Sequence, residues 1–184
     1  MRSFSRASYQ SALVVLVPEA EPLVAPFRRQ YDPSAAAGMP AHVTINYPFL
    51  PGLPVNAHAI DQLGAVLPGL PSFRFSLVRA ARFPDSLYLV PDPDEPFVRL
   101  IRAVSRTFPS SPPYGGLFAR VVPHLTVAQP DTPAQLEVIA SEFAAACEGK
   151  LPIACLARRI WLVDNQNARW EKRLSFGLGP VAPV

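Results

Sequence analysis

The sequence predicts a duplicated fold in which two similar halves each alternate strands with helices. Three landmarks carry this reading, because they recur in the same order at similar spacing. Leu16-Val17-Pro18 followed by Glu21-Pro22-Leu23-Val24 returns as Leu89-Val90-Pro91 followed by Glu95-Pro96-Phe97-Val98, with the glutamates 74 residues apart. Pro40-Ala41-His42-Val43-Thr44-Ile45 returns as Pro123-His124-Leu125-Thr126-Val127, with the histidines 82 residues apart. Leu70-Pro71 and Leu151-Pro152 each open a β-rich run, 28 and 27 residues after the respective histidine. The difference between 74 and 82 falls mostly in one longer loop, Pro109–Phe118.

Each element has a local reason. Gln10–Val17 is an apolar strand that ends at Pro18. Pro22–Tyr31 reads as a helix: proline near the first position loses no hydrogen bond, and Glu21 suits the positive helix N-terminus. A strand at Ala41–Tyr47, a helix at Ala57–Leu67 behind the N-cap Asn56, and a strand at Phe73–Phe83 complete the first half. The second half repeats the order with a strand at Ser86–Val90, a helix at Pro96–Phe108 and a strand at Val121–Ala128. A helix at Pro133–Cys147 follows, with Leu136, Ile139, Phe143 and Ala146 on one face. A strand at Ile153–Val163 comes next. The turn signal Asp164-Asn165-Gln166-Asn167 then precedes a last strand at Arg169–Gly177. The expectation is one domain over residues 1–184, its halves running from about 9 to 83 and 84 to 178.

Composition narrows the classes. The chain has 184 residues, 49% hydrophobic and 17% charged, with 23 prolines scattered between apolar segments as element boundaries. That length buries a core without staples, roughly 70% of the unfolded surface for a domain of this order. No apolar run reaches the 18 or so residues of a membrane span. Met1-Arg2-Ser3-Phe4-Ser5-Arg6 lacks a following h-region, and Ala12–Val17 is too short to be one, so no signal peptide is read. Cys147 and Cys155 read as two free thiols in a reducing cytoplasm, without zinc spacing. A net charge of +3 suits an anionic ligand but forms no basic block. There is no Walker-type glycine loop or dinucleotide fingerprint, so no cofactor and no metal are expected.

The two His-x-Thr strands carry the chemistry. Side chains alternate along a strand. Val43, Ile45 and Tyr47 then share a core face, and His42, Thr44 and Asn46 share the other. Leu125 and Val127 likewise oppose His124 and Thr126. Residues two apart lie about 6.5–7 Å along the strand, so both can reach one phosphate-sized group. A single His-x-Thr is an ordinary feature of a half-solvated strand. Two at matching places in a repeat, packed about a pseudo-two-fold axis, would put two imidazoles and two hydroxyls in one cleft. A neutral imidazole then takes a proton from an attacking oxygen, and an imidazolium gives one to the leaving oxygen. The threonine hydroxyls hold non-bridging phosphoryl oxygens.

The stretches Pro40–Phe49 and Pro123–Ala128 resemble the two signature motifs of the two-histidine phosphoesterase superfamily, and the 2′-5′ RNA ligase-like branch most. Pro112-Pro113-Tyr114-Gly115-Gly116, ahead of the second motif, is also similar to that branch. The resemblance covers nearly the whole chain. It implies a bilobal α+β fold with two antiparallel sheets facing a central V-shaped cleft and helices outside. It also implies hydrolysis of 2′,3′-cyclic phosphates or 2′-5′ linkages, sometimes with reverse ligation. His42, Thr44, His124 and Thr126 occupy the motif positions, the histidines as catalytic and the threonines as phosphate-binding residues.

Other residues are weighed on position. His58, in the first turn of a helix, reads as a surface residue. Tyr114 and Phe118, in the long loop, are candidates to stack on a base. Tyr47 falls on the core face and reads as packing, as do Trp161 and Trp170 beside the last turn. Arg74, Arg79, Arg82, Arg120, Arg158 and Arg169 lie on or near strands, and one or two of them would suit a phosphate cleft. Glu171-Lys172-Arg173 reads as a solvated strand face. The expected protein is a cytoplasmic monomer acting on a small nucleotide or an RNA end, with no membrane or DNA duplex as partner. His124 is favoured as base and His42 as acid. A non-catalytic nucleotide- or RNA-end-binding module is the alternative, and a protein-interaction scaffold with an idle cleft the third.

Overall fold

A computed structural model describes residues 9–181; residues 1–6, read above for a signal sequence, lie outside that range. In chain order the elements are β1 (Ser11–Leu16), α1 (Glu21–Tyr31), α2 (Pro33–Ala36), β2 (His42–Asn46), α3 (Ala57–Val66), β3 (Pro71–Phe83) and β4 (Ser86–Asp92). They continue with α4 (Glu95–Thr107), β5 (Leu125–Ala128), α5 (Pro133–Cys147), β6 (Ile153–Ala157), β7 (Arg159–Asp164), β8 (Glu171–Gly177) and β9 (Gly179–Val181). The fold is α+β with two sheets, as expected. One has the order β2-β1-β7-β8 and the other β5-β4-β3-β6, with β9 beside β3. All pairings are antiparallel except β3 with β9.

The two sheets are not the two halves of the sequence. The first sheet takes β1 and β2 from the start of the chain and β7 and β8 from its end. The second begins with β3. The helices cross over as well: α1 packs on β5, and α4 packs on β2. The first helix of each half therefore supports the histidine strand of the other half. β2 and β5, the outer strands of their sheets, are neighbours in space.

Two strand readings need correction. Ile153–Val163 is not one strand but β6 and β7, which lie in different sheets. A strand pairs in one sheet at a time: β6 pairs with β3 and β7 with β1, and the break falls at Arg158. The Arg158 carbonyl leaves both ladders and accepts from Leu178 N at 2.9 Å. The strand read at Val121–Ala128 shrinks to Leu125–Ala128. Pro123 has no N–H to give a ladder, and the Val122 carbonyl is taken by the His124 ring. Among the α-helices and strands of the described residues, two short ones escape the sequence, α2 and β9. Asp32 caps α2, its side chain accepting from Ser34 N.

The main core joins both sheets to the helices. Phe97 of α4 lies between Phe73 and Phe75 of β3, each edge-on with centroids 4.9 Å apart. Phe49 meets Phe108, and Phe27 meets Phe143, both edge-on at 5.0 Å. Val43 and Ile45 of β2 and Leu125 and Val127 of β5 are fully buried in this core. A smaller cluster, Ala12, Val14, Met39 and Val163, lies on the other face of the first sheet, flanked by Tyr47, Trp161 and Trp170. Among the described residues no helix is long and apolar enough to cross a membrane.

Candidate active site

Alternation on β2 turns Val43 and Ile45 into the core and leaves His42 and Thr44 half-buried on the opposite face. On β5 it buries Leu125 and Val127 and leaves Thr126 half-buried, with His124 just before the strand. The two faces converge. His42, Thr44, His124, Thr126, Tyr114 and Phe118 all line one cavity of about 880 Å³. The structure thus brings together all six residues picked out from the sequence.

The histidines are held alike. His42 Nδ1 lies 2.8 Å from the Pro40 carbonyl, and His124 Nδ1 lies 2.7 Å from the Val122 carbonyl. A carbonyl only accepts, so each Nδ1 carries the hydrogen and each Nε2 stays available to a ligand. Their surroundings differ. His124 meets Phe83 and Tyr88 at centroid distances of 5.1 and 5.4 Å. Burial pushes its pKa down, with the Val122 carbonyl opposing. Burial also lowers the pKa of His42, and the Arg28 guanidinium adds to the effect, taking it to about 4. The Pro40 carbonyl and the Asp32 carboxylate oppose this, and His124 adds a little more in the lowering direction. Both imidazoles line the same cavity.

Tyr114 closes one side. Burial raises the pKa of its hydroxyl, and the neighbouring Thr44 side chain, on the same cavity wall, opposes the rise. Its backbone N donates to the Tyr47 carbonyl at 2.5 Å. Further down the loop, Asn46 Nδ2 donates to Ser111 O at 2.9 Å and Leu50 N to Ser111 Oγ at 2.8 Å. The turn itself needs positive φ at Gly115 and Gly116, which glycine adopts without strain. Phe118 meets Tyr114 edge-on at 5.6 Å and is 60% exposed.

Of the six arginines weighed, Arg120 is the one that lines the cavity among the described residues. Tyr47 is not on the core face with Val43 and Ile45: β2 ends at Asn46, so strand alternation does not carry to residue 47, and its ring packs on Trp170 at 6.2 Å beside the smaller cluster, where both line the cavity. Arg28 and Asp32 were missed by the sequence reading. The available signal was an arginine on the buried Leu23–Val24 face of α1 with a carboxylate four residues on. His58 is exposed and outside the cavity. Among the described residues no group of three or more His, Cys, Asp or Glu side chains is placed to hold a metal ion.

Fold and site together define a class: a two-sheet α+β protein whose outer strands each bring a His-x-Thr to a common cavity. The sequence profile of the 2′-5′ RNA ligase superfamily matches residues 16–169, and the chain belongs to that superfamily. Solved structures agree on the fold. Escherichia coli LigT complexed with 3′-AMP superposes with a TM-score of 0.59 at 16% identity, over 92% of this chain and 97% of that one. LigT complexed with NADP+ gives 0.56 at 16%, over 94% and 98%. TT0787 of Thermus thermophilus gives 0.62 at 17%, over 93% and 98%. A comparison with curated proteins returns no match.

Proposed function

We propose that this protein is a metal-independent phosphodiesterase. Its substrates are 2′,3′-cyclic phosphates or 2′-5′ linked nucleotides and oligonucleotides, and the same site can run the reverse 2′-5′ joining reaction. One observation supports this above the rest: two imidazoles in one cavity, each with Nδ1 tied to a backbone carbonyl and Nε2 left for the ligand.

One Nε2 accepts the proton of a water whose oxygen attacks phosphorus. The other donates its proton to the ribose oxygen as the P–O bond breaks. Burial keeps both rings neutral near pH 7, and the Arg28 guanidinium adds to it at His42. A bound phosphodiester anion favours the charged form of a nearby imidazole, so substrate binding itself arms the acid. Thr44 and Thr126 hold the non-bridging oxygens, with the Tyr114 hydroxyl beside Thr44. Arg120 supplies positive charge at the cavity wall, and the rings of Tyr47, Tyr114, Phe118 and Trp170 offer faces for a base. Superfamily membership supports the reaction class. A small nucleotide as ligand is in keeping with LigT, a structural neighbour solved with 3′-AMP. We place the protein in the cytoplasm as a monomer.

Both proton transfers come from imidazoles, so turnover in EDTA is the first test. The protein is incubated with a nucleoside 2′,3′-cyclic phosphate and with 2′-5′ diadenylate, and products are separated chromatographically. Hydrolysis of at least one is expected. His42→Ala and His124→Ala should each lower kcat by about 10²–10⁴. Full activity in either variant overturns the reading. Binding without product would mark a nucleotide-binding module instead.

A further inference from the structure

Burying an ion pair is costly unless its geometry compensates, and one lies beside the cavity. Arg28 is 2% exposed and Asp32 is 4% exposed. Arg28 Nε and Nη2 donate to Asp32 Oδ2 at 3.1 and 3.0 Å. Asp32 Oδ1 accepts from Ser34 N at 2.9 Å and Ser34 Oγ at 2.7 Å. One carboxylate therefore ties the last turn of α1 to the start of α2. The chain stays pinned beyond it, with Gly38 N donating to Ala35 O and Met39 N to Ser34 O, both at 2.9 Å. The next residue, Pro40, gives the carbonyl that holds His42 Nδ1. Asp32 and His42 line the same cavity. His124 has the rings of Phe83 and Tyr88 in place of such a pair.

We propose that the Arg28–Asp32 pair is a positioning element of the active site: it fixes the segment that orients His42 and makes His42, rather than His124, the proton acceptor. This rests on the phosphodiesterase reading and reverses the assignment favoured from sequence. The water oxygen bonds to phosphorus and its proton goes to His42 Nε2. The bond to the ribose oxygen breaks, and that oxygen keeps the electron pair and takes a proton from His124 Nε2. The groups facing His42 are Arg28 and Asp32 at the end of α1, His124 ahead of β5, and Tyr114 of the loop through Thr44. Glu21 of α1 also faces this segment, accepting from Ala41 N at 2.6 Å. Burial lowers the His42 pKa most, and the guanidinium opposes a charged imidazole more than the carboxylate favours it, so the pair as a whole adds to the neutral bias that burial sets.

The test combines NMR titration of the His42 ring with the pH profile of kcat/KM. Arg28→Gln leaves the carboxylate without its cation, so the midpoint and the acid limb should rise by about one pH unit. Asp32→Asn keeps an acceptor for Ser34 and leaves the guanidinium, so both should fall. The double variant buries no lone charge and should rise by less than Arg28→Gln; it carries the comparison should that variant fail to fold. A segment that only held shape would lose stability without opposed shifts. Shifts of one sign, or none, in an active enzyme overturn the positioning element alone. The titration needs no turnover. A chain that hydrolyses neither substrate yet shows the opposed shifts loses the phosphodiesterase reading and keeps the positioning element. For the acceptor role, a phosphodiester with a p-nitrophenyl leaving group should restore at least about tenfold of the activity lost in His124→Ala. It should restore none in His42→Ala, and the reverse pattern overturns the assignment.

Discussion

A histidine held neutral by its surroundings ties stability to pH with a definite sign. In the unfolded chain an imidazole titrates near 6.5, whereas folded His42 titrates at about 4. Above pH 7 neither state binds the proton, and the residue contributes nothing. As pH falls through 6.5 the unfolded chain is protonated first, and the native state loses up to about 3 kcal/mol by pH 4. His124 acts in the same direction. Thermal unfolding followed from pH 7 to pH 5 should show a falling Tm, with a shallower fall in His42→Gln. A bound phosphate anion should restore part of the loss, because it favours the imidazolium that the surrounding protein groups disfavour. A Tm that rises on acidification over this range would contradict the neutral assignment. The four motif residues were legible because period-two alternation and repetition act locally: Val43 and Ile45 go inward, so His42 and Thr44 cannot. Arg28 was legible only as an arginine with a carboxylate four residues on; its burial beside the site shows only in the fold, where α1 packs on β5, a strand about a hundred residues away.

At the scale of elements, the sequence named strands and helices well where one partner sets the pattern. α5 matches its expected bounds, and α1, α3 and α4 fall within a residue of theirs. The failures lie where an element changes partner. The run from residue 153 to 163 is largely apolar, yet its first part pairs with β3 and its second with β1, a choice made by distant strands. Trp170 shows the same limit. Its position beside a turn suggests packing, and only the approach of residues 37–39, where its N donates to Ala37 O at 2.8 Å, brings it to the cavity wall. Phe97 is the contact through which α4 holds β3, fully buried between two rings. Phe97→Ala should cost about 3–5 kcal/mol, since the packed rings around it cannot close the gap it leaves. Urea unfolding should show a lower midpoint at unchanged m. Val138→Ala, at an exposed position on α5, should stay within about 0.5 kcal/mol. An equal effect at both sites would mean that α4 does not anchor the sheet.

For the whole molecule, the repeat is visible in sequence but the way the halves assemble is not. Cutting at the β3–β4 turn, between Pro84 and Asp85, would separate the two halves read from the repeat. The N-terminal piece would keep β1 and β2 but lose β7, the strand on the other side of β1. Its long β3 would lose β4 and β6, both of its antiparallel neighbours. The C-terminal piece would hold β4 and β5 without β3, and β7 and β8 without β1. Each would also lack the helix that supports its histidine strand, since α1 serves β5 and α4 serves β2. Unpaired strand edges and uncovered apolar faces leave no route to a stable core. We therefore expect both pieces, 1–84 and 85–184, to be unfolded or aggregated alone. Mixed during refolding, they should recover native circular dichroism and, with it, the paired-histidine cavity. The intact chain should unfold in one transition, with tryptophan fluorescence and circular dichroism coincident, because no sheet can melt without taking strands from both halves. An N-terminal piece that folds cooperatively by itself would show that the duplicated halves are independent lobes, and that the exchange of strands between sheets is not what holds the two histidines together.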